Sequence, residues 1–503
     1  MEANAHSTLN QVPHSIANRQ GHLAAVTLSL LAALSAASVT IVSYQGASAS
    51  RYALVCVGTL GLLLLAALLY VRPLVTFLVA AVFLTSPLPL ALGLQWSAFI
   101  SAFLLSGALL GHVLRTPLRS MARDPLFLPI GIFVGFAVFS SAYGLSAGNE
   151  VSYVLGDCFQ VIEFALVYFL VVQLIRSQEQ VRLALRWLLV SIAVTILLEL
   201  LLFVLGSNAG NLLPSWEGDS VSESLVRTID IDATILFAIL INLYPIARSP
   251  RQRFWIWAAL VPTIANIALS LSRGLWLCTL VAVMVSVLLQ SRKVRMGLLA
   301  AFALVSICGV ILASGWRIGS DSDGSLLGVL EERVFHGMEQ VEWGFAGAEN
   351  MSTRRFLEMV IVGPQVLRDP WIGHGLGATY VIGGFAVLDA GTAAPIDHHF
   401  IHNLYLVTAF RMGVIGLGLL LWVLFRSFRT TLKAYRKMPA DLNKALVVGC
   451  IAGVAGQLFL SFTQPTVIDH PTCALIAFAI ALSLRLSSPG SIRDCRRELK
   501  NGS

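Results

Sequence analysis

Apolar runs long enough to cross a bilayer follow one another along almost the whole chain, and this recurrence leaves few folds open to it. Roughly fourteen such windows can be marked against a hydrocarbon core about 30 Å thick. They lie near Leu23 to Tyr44, Tyr52 to Val71, Leu74 to Leu94, Ala98 to Leu114, Leu126 to Leu145, Leu155 to Ile175 and Leu183 to Leu205. The second half adds Ile231 to Ile246, Phe254 to Leu271, Leu275 to Leu289, Met296 to Ser314, Asn403 to Phe425, Ala445 to Phe462 and Val467 to Leu484. Backbone N–H and C=O groups must be satisfied within each lipid-exposed segment, so these windows read as helices. The expected fold is an all-α polytopic membrane protein with roughly 12–14 transmembrane helices. Composition agrees: 57% hydrophobic and 12% charged residues lie outside the soluble globular range.

The net charge of +7 would suit a nucleic-acid partner, but the placement of the 34 Lys and Arg residues gives a simpler account. Most fall in one alternate set of loops, including Arg115, Arg119 and Arg123, then Arg176 to Arg186, Arg248 to Arg253, Arg292 to Arg295 and Arg426 to Lys444. The positive-inside rule makes that set cytoplasmic. No nucleic acid is expected as a partner, both termini are read as cytoplasmic, and 206 to 229, 271 to 274 and 315 to 402 emerge on the opposite face. The first apolar run carries no convincing cleavage pattern and is read as a retained anchor. The seven cysteines lie in or beside spans or in the tail, so no disulfide framework is implied. The resulting division is a cytoplasmic segment 1–22, a bundle 23–314, an external loop 315–401, the last three spans 402–486 and a tail 487–503.

The external loop is far longer than an ordinary connection, which marks it as functional. Apolar residues at Leu326, Leu330, Val334, Met338, Val341 and Phe345 recur at helical spacing and predict an amphipathic helix suited to a membrane surface. A second helix is expected from Ser352, a capping residue, toward Pro364, with Arg354 and Arg355 in its first turn. Gly373-His374-Gly375-Leu376-Gly377 lacks a preceding strand and the GxGxxG spacing of a dinucleotide site, and is read as a turn.

Two polar points interrupt the apolar pattern. Ser272-Arg273-Gly274 sits between two spans, where Arg273 either snorkels to the interface or binds an anion, its planar guanidinium holding two phosphate oxygens at once. Arg227 precedes another span on the same face and is either a loop charge or a second anion contact. The other point is Asp397-His398-His399-Phe400-Ile401-His402-Asn403-Leu404-Tyr405, where the polar loop turns into a span. His398 and His402, four apart on one expected helix face, suggest a metal pair; no HExxH pattern or third ligand accompanies them. The alternatives are a helix-end histidine and a general base. Asn403 would orient the imidazole or cap the helix.

Taken in order, these elements resemble the O-antigen ligase and polymerase (Wzy-type) integral membrane glycosyltransferases. The resemblance rests on Arg227 ahead of one span, Ser272-Arg273-Gly274, Arg354 or Arg355 heading a loop helix, the Gly373 to Gly377 turn and His402-Asn403-Leu404-Tyr405-Leu406, and it covers about the second half of the chain. Members often carry an acidic residue before the glycine a turn into the last of these spans, whereas this chain has Phe410-Arg411-Met412-Gly413, so Arg411 is expected to add a phosphate contact instead.

The resemblance implies transfer of a glycan from a polyprenyl-diphosphate carrier to a sugar hydroxyl at the periplasmic face of the bacterial inner membrane. In that reading Arg273 and Arg227 stabilise the departing diphosphate and His402 accepts the acceptor's proton. Arg354, Arg355, Ser272, Asn403, Tyr405 and Arg411 bind substrate. Arginines take the place of a cation, so neither metal nor cofactor is implied, and direct attack inverts the anomeric centre. The acceptor is a second carrier-linked repeat in a polymerase, or a lipid A-core sugar or protein in a ligase; the polymerase is preferred, with a chain-length regulator as a further partner. The rival class is a transporter or flippase, for which the intramembrane acids Glu163 and Glu199 would be proton-coupled groups rather than acids satisfied by Ser and Thr neighbours.

Overall fold

The computed structural model describes residues 105–106, 108–109, 112, 124–205, 220–222, 225–226, 232–270, 272–290, 295–296, 351–382, 396–439, 441–463 and 472–487. Ten helices carry this part of the chain: α1 Phe127–Ser146, α2 Val151–Leu174, α3 Gln178–Leu205, α4 Ala233–Leu243, α5 Pro250–Leu269, α6 Arg273–Leu289, α7 Met351–Arg368, α8 Leu404–Tyr435, α9 Leu442–Leu460 and α10 Thr472–Ser487. Two short antiparallel ladders complete it, β1 Ser220–Ser222 with β2 Leu225–Val226, and β3 Tyr380–Ile382 with β4 Ile396–His398. Among the described residues α1, α2, α3, α8 and α9 are long and apolar enough to span a membrane, while α4, α6 and α10 are shorter apolar helices. The expected windows Leu23 to Tyr44, Tyr52 to Val71 and Leu74 to Leu94, most of Ala98 to Leu114 and of Met296 to Ser314, the helix expected over 326 to 345, and Arg227 lie outside the described residues.

The bundle is organised around α9, which packs against α4, α6 and α10. Its sequence explains why. Lipid tails are as apolar as leucine, so helices in a membrane associate through close packing and polar contacts rather than hydrophobic burial alone. Gly449, Gly453 and Gly456 line α9 at helical spacing, and a Cβ at Gly449 would stand 2.7 Å from Ile239 Cα, one at Gly456 2.7 Å from the Cys278 carbonyl oxygen. Polar side chains complete the contact: Gln457 Nε2 donates to Thr234 Oγ1 at 2.5 Å, and between α4 and α6 Asn242 Nδ2 donates to Ser286 Oγ at 2.9 Å. The second side of the bundle runs from α10 to α2 and from α1 to α8. Glu163, fully buried in α2, accepts a hydrogen bond from the Cys473 thiol of α10 at 3.5 Å, so a cysteine contributes where the sequence suggested Ser and Thr. Glu199 falls in α3.

Three expectations change. The helix expected to run toward Pro364 begins at Met351 and continues through that proline to Arg368. Proline removes one donor but leaves the downstream turns intact, and Gln365 Nε2 donates to the Ile361 carbonyl at 3.1 Å beside the gap. The pair His398 and His402 does not share a helix face, because His398 ends β4 opposite Tyr380 and His402 precedes the cap of α8. The span expected over Asn403 to Phe425 extends to Tyr435 and is broken at Gly413, whose φ of 67° and ψ of −174° are non-helical.

That break has a physical cause in the glycine turn. Where a helix opens, its carbonyls and N–H groups need new partners, and within a membrane only protein can supply them. The turn docks into the gap: His374 N donates to Phe410 O and Gly375 N to Arg411 O, both at 2.9 Å, while Val414 N donates to Pro370 O at 2.7 Å and Ile415 N to Trp371 O at 3.3 Å. Gly375, at φ 84°, approaches α1 so closely that a Cβ there would lie 2.4 Å from Gly144 Cα. The turn read from the sequence is therefore a wedge between α8, α1 and α2.

Candidate functional site

The start of α8 is built on the last turn of α9. Asn403, in extended conformation, accepts hydrogen bonds from Tyr405 N at 2.9 Å and Leu406 N at 3.0 Å, and so caps the helix rather than orienting the imidazole. Leu404 N donates to Ser461 O at 2.9 Å, Tyr405 Oη donates to Leu458 O at 2.8 Å, and the Tyr405 ring packs on Phe462 with centroids 4.7 Å apart. The same turn receives α6. A Cβ at Gly274 would stand 3.0 Å from Leu460 Cδ1 and 3.1 Å from Thr463 Oγ1, which sets Ser272 and Arg273 beside it. Two sequence elements separated by more than a hundred residues thus meet at one end of one helix. Arg273 is half-buried and has no acidic partner among the described residues.

His402 is held by a residue the sequence reading did not single out. Glu358, on α7, takes the His402 backbone N–H on Oε2 at 3.0 Å and approaches His402 Nδ1 with Oε1 at 2.6 Å. The carboxylate is 8% exposed and the imidazole 29%, so the acid sits beneath a ring that still reaches the surface. Burial follows from the helix: Glu358 and Val362, one turn apart, face inward, whereas Met359, Val360 and Leu367 face out. Val362 joins Ala378, Tyr380, Ile401, Val407 and Phe410 in a small core that fastens α7 and the β3–β4 ladder to α8. The Tyr380 hydroxyl is pushed well above the usual phenol range by burial and then by the charge of Glu358. The signal that would have found Glu358 is an acid lying within the inward stripe of an amphipathic helix. Arg354 and Arg355 fall near the start of α7, Arg354 one turn ahead of Glu358.

Arg411 stands differently from the other candidates. Its guanidinium points into the bundle with 5% exposure, donating to Asp157 Oδ1 of α2 at 2.8 Å and to the His399 carbonyl. Asp157 Oδ2 accepts from Gly377 N at 2.8 Å and lies 3.4 Å from His399 Nε2, and His399 stacks on Tyr153 at 4.1 Å. Arg411 therefore ties the glycine turn, the segment leading to His402 and α2 into one ion-paired knot. The cavity beside it, lined by Asp157, Gln160, Thr408 and Arg411 among others, is about 20 Å³, room for a water molecule.

Fold and site together define an integral membrane protein whose bundle brings a carboxylate-paired histidine and an arginine with no acidic partner among the described residues to one end. Residues 258–421, from α5 to the middle of α8, match a family model described as Wzy_C, O-Antigen ligase. The matched segment contains Ser272, Arg273, Arg354, Arg355, Glu358, the glycine turn, His402 to Tyr405 and Arg411, and it supports an O-antigen ligase/polymerase-type family with a glycan-joining role in polysaccharide or lipopolysaccharide biosynthesis. No curated protein matches the chain.

Proposed function

We propose that the protein transfers a glycan from a polyprenyl-diphosphate carrier to a sugar hydroxyl at the periplasmic face of the inner membrane, as a polymerase of polysaccharide repeat units. The observation carrying this reading is the convergence of the segments that carry Arg273 and His402 on the last turn of α9, through Gly274 beside Leu460 and Leu404 N on Ser461 O. The acceptor hydroxyl gives its proton to His402 as its oxygen attacks the anomeric carbon, and the anomeric C–O bond breaks with its electron pair passing to the diphosphate. Arg273, joined by Arg227, holds the charge that develops there, an interaction stronger in a partly dry site than in water. Because these cations do the work of a metal, the reaction needs none, and single displacement inverts the anomeric centre. Arg354, Arg355, Ser272 and Tyr405 contribute to substrate binding. The bundle accommodates the prenyl chain, and the loop 315–401 limits water.

The ligase reading, transfer to a lipid A-core sugar or a protein, is favoured by the name of the matched family, O-Antigen ligase. A transporter is the weaker reading, since the candidate site residues gather at one end of the bundle, while the buried Glu163 inside α2 is engaged by the Cys473 thiol. The test is reconstitution with a polyprenyl-diphosphate oligosaccharide and a chelator, beside Arg273→Ala and His402→Ala, with sizing of products. Chelator-resistant transfer lost in both variants is expected; ladders indicate a polymerase, and a single block on a supplied acceptor a ligase. Substrate movement across the vesicle membrane without any transfer would overturn the reading.

A further inference from the structure

We infer that Glu358 is the positioning residue of the site: it fixes His402 in the tautomer whose Nδ1 carries the proton, so that Nε2 presents its lone pair to the attacking hydroxyl. This deepens the proposed glycosyl transfer and rests on it. The geometry carries the argument. A carboxylate can only accept hydrogen bonds, so an oxygen 2.6 Å from Nδ1 requires the proton to lie between them. In a neutral imidazole the other nitrogen is then an acceptor, and among the described residues Nε2 has no partner.

The second oxygen adds orientation. With Oε2 on the backbone N–H and Oε1 on the ring of the same residue, Glu358 grips His402 at two points and removes the freedom of the ring about its side-chain bonds. Phe400, whose ring meets the imidazole edge-on at 4.9 Å and 90°, closes one side. Burial of the carboxylate beneath a partly exposed ring keeps water from competing for Nδ1. When Nε2 takes the hydroxyl proton, the imidazolium forms against a carboxylate already in place; Glu358 stays ionised and the proton leaves later from Nε2 to water.

A merely structural role would be served by the backbone contact alone, and the substitution Glu358→Gln separates the two. The amide oxygen can still accept from the His402 N–H, so the loop keeps its anchor. The amide nitrogen, now facing Nδ1, donates where the carboxylate accepted, and the imidazole is driven to the tautomer with its proton on Nε2, useless as a base.

The experiment pairs turnover with imidazole nitrogen-15 NMR on histidine-labelled protein, the His402 signals being assigned by their loss in His402→Gln. Expected are an unprotonated Nε2 in the wild type, a protonated one in Glu358→Gln, and a fall in kcat of about 10²–10⁴-fold with the KM for the lipid-linked donor little changed. Glu358→Asp, which restores a carboxylate, is expected to recover part of the rate and the wild-type tautomer, and it serves as the informative variant should Glu358→Gln not fold. A wild-type Nε2 that carries the proton, or Glu358→Gln at full turnover while His402→Ala is inactive, overturns the positioning role and leaves the transferase reading standing. Full turnover in His402→Ala overturns both.

Discussion

Replacing Gly413 with alanine tests whether the break in α8 is imposed by the glycine turn. At φ 67° and ψ −174° the residue lies in a region essentially reserved to glycine, at a cost of about 1–3 kcal/mol for alanine. The new Cβ would also stand 2.2 Å from the Trp371 carbonyl oxygen and 2.6 Å from Ile372 N, both backbone atoms that cannot swing aside. The turn must withdraw, and the bonds from Val414 N to Pro370 O and from Ile415 N to Trp371 O weaken or break, each worth about 0.5–1.5 kcal/mol. Together the loss is about 2–6 kcal/mol. Buried thiols at Cys278, Cys450 and Cys473 report opening of the bundle, so the assay is a thermal ramp in detergent with a thiol-reactive dye. At about 2–4 °C per kcal/mol the midpoint should fall by about 4–24 °C at matched scan rate. Gly131→Ala is the control: it sits within α1 with nothing within 4 Å of an added Cβ, and alanine there should be neutral or stabilising by up to about 1 kcal/mol. A Gly413→Ala protein that melts within about 2 °C of the wild type would refute the account.

Three further outcomes follow from the contacts. Asp157→Asn strands the buried Arg411 guanidinium and should cost about 3–5 kcal/mol, with much of the loss recovered in Asp157→Asn/Arg411→Met, read by the same dye assay; an additive double variant would deny the ion pair. Asn403→Ala removes the cap of α8 and should lower stability by about 0.5–2 kcal/mol in that ramp, and no shift would mean that the two hydrogen bonds are replaced by other partners. Arg273→Lys keeps the charge but loses the two-oxygen grip, and steady-state transfer assays should show kcat lowered about 10²–10³-fold with an unchanged melting curve; full activity would reduce Arg273 to an interfacial anchor.

The helices were legible because their signal is local. A run of apolar residues must become a helix in lipid whatever surrounds it, so the expected windows Leu126 to Leu145 and Leu275 to Leu289 nearly coincide with α1 and α6. Ends were less legible: α8 continues to Tyr435 because Arg426, Arg429, Leu432, Lys433 and Ala434 are good helix formers once outside the apolar zone. The break at Gly413 was not legible, since Met412-Gly413-Val414 reads as an ordinary apolar stretch and only the docking of residues 370–375, some forty positions earlier, opens it.

The candidate site divides along the same line. Sequence by itself determined the membrane class, the order of the Ser272-Arg273-Gly274 and His402-Asn403-Leu404-Tyr405 elements, and the glycine turn, because each depends on residues adjacent in the chain or on hydropathy summed over a window. Tertiary structure alone decided who pairs with whom. Glu358 meets His402 from 44 positions away, Asp157 meets Arg411 from 254, and Gly274 meets Leu460 across two helix ends. A buried charge takes its meaning from the partner that lowers the cost of its burial, and that partner is chosen by packing, which no stretch of neighbouring residues records.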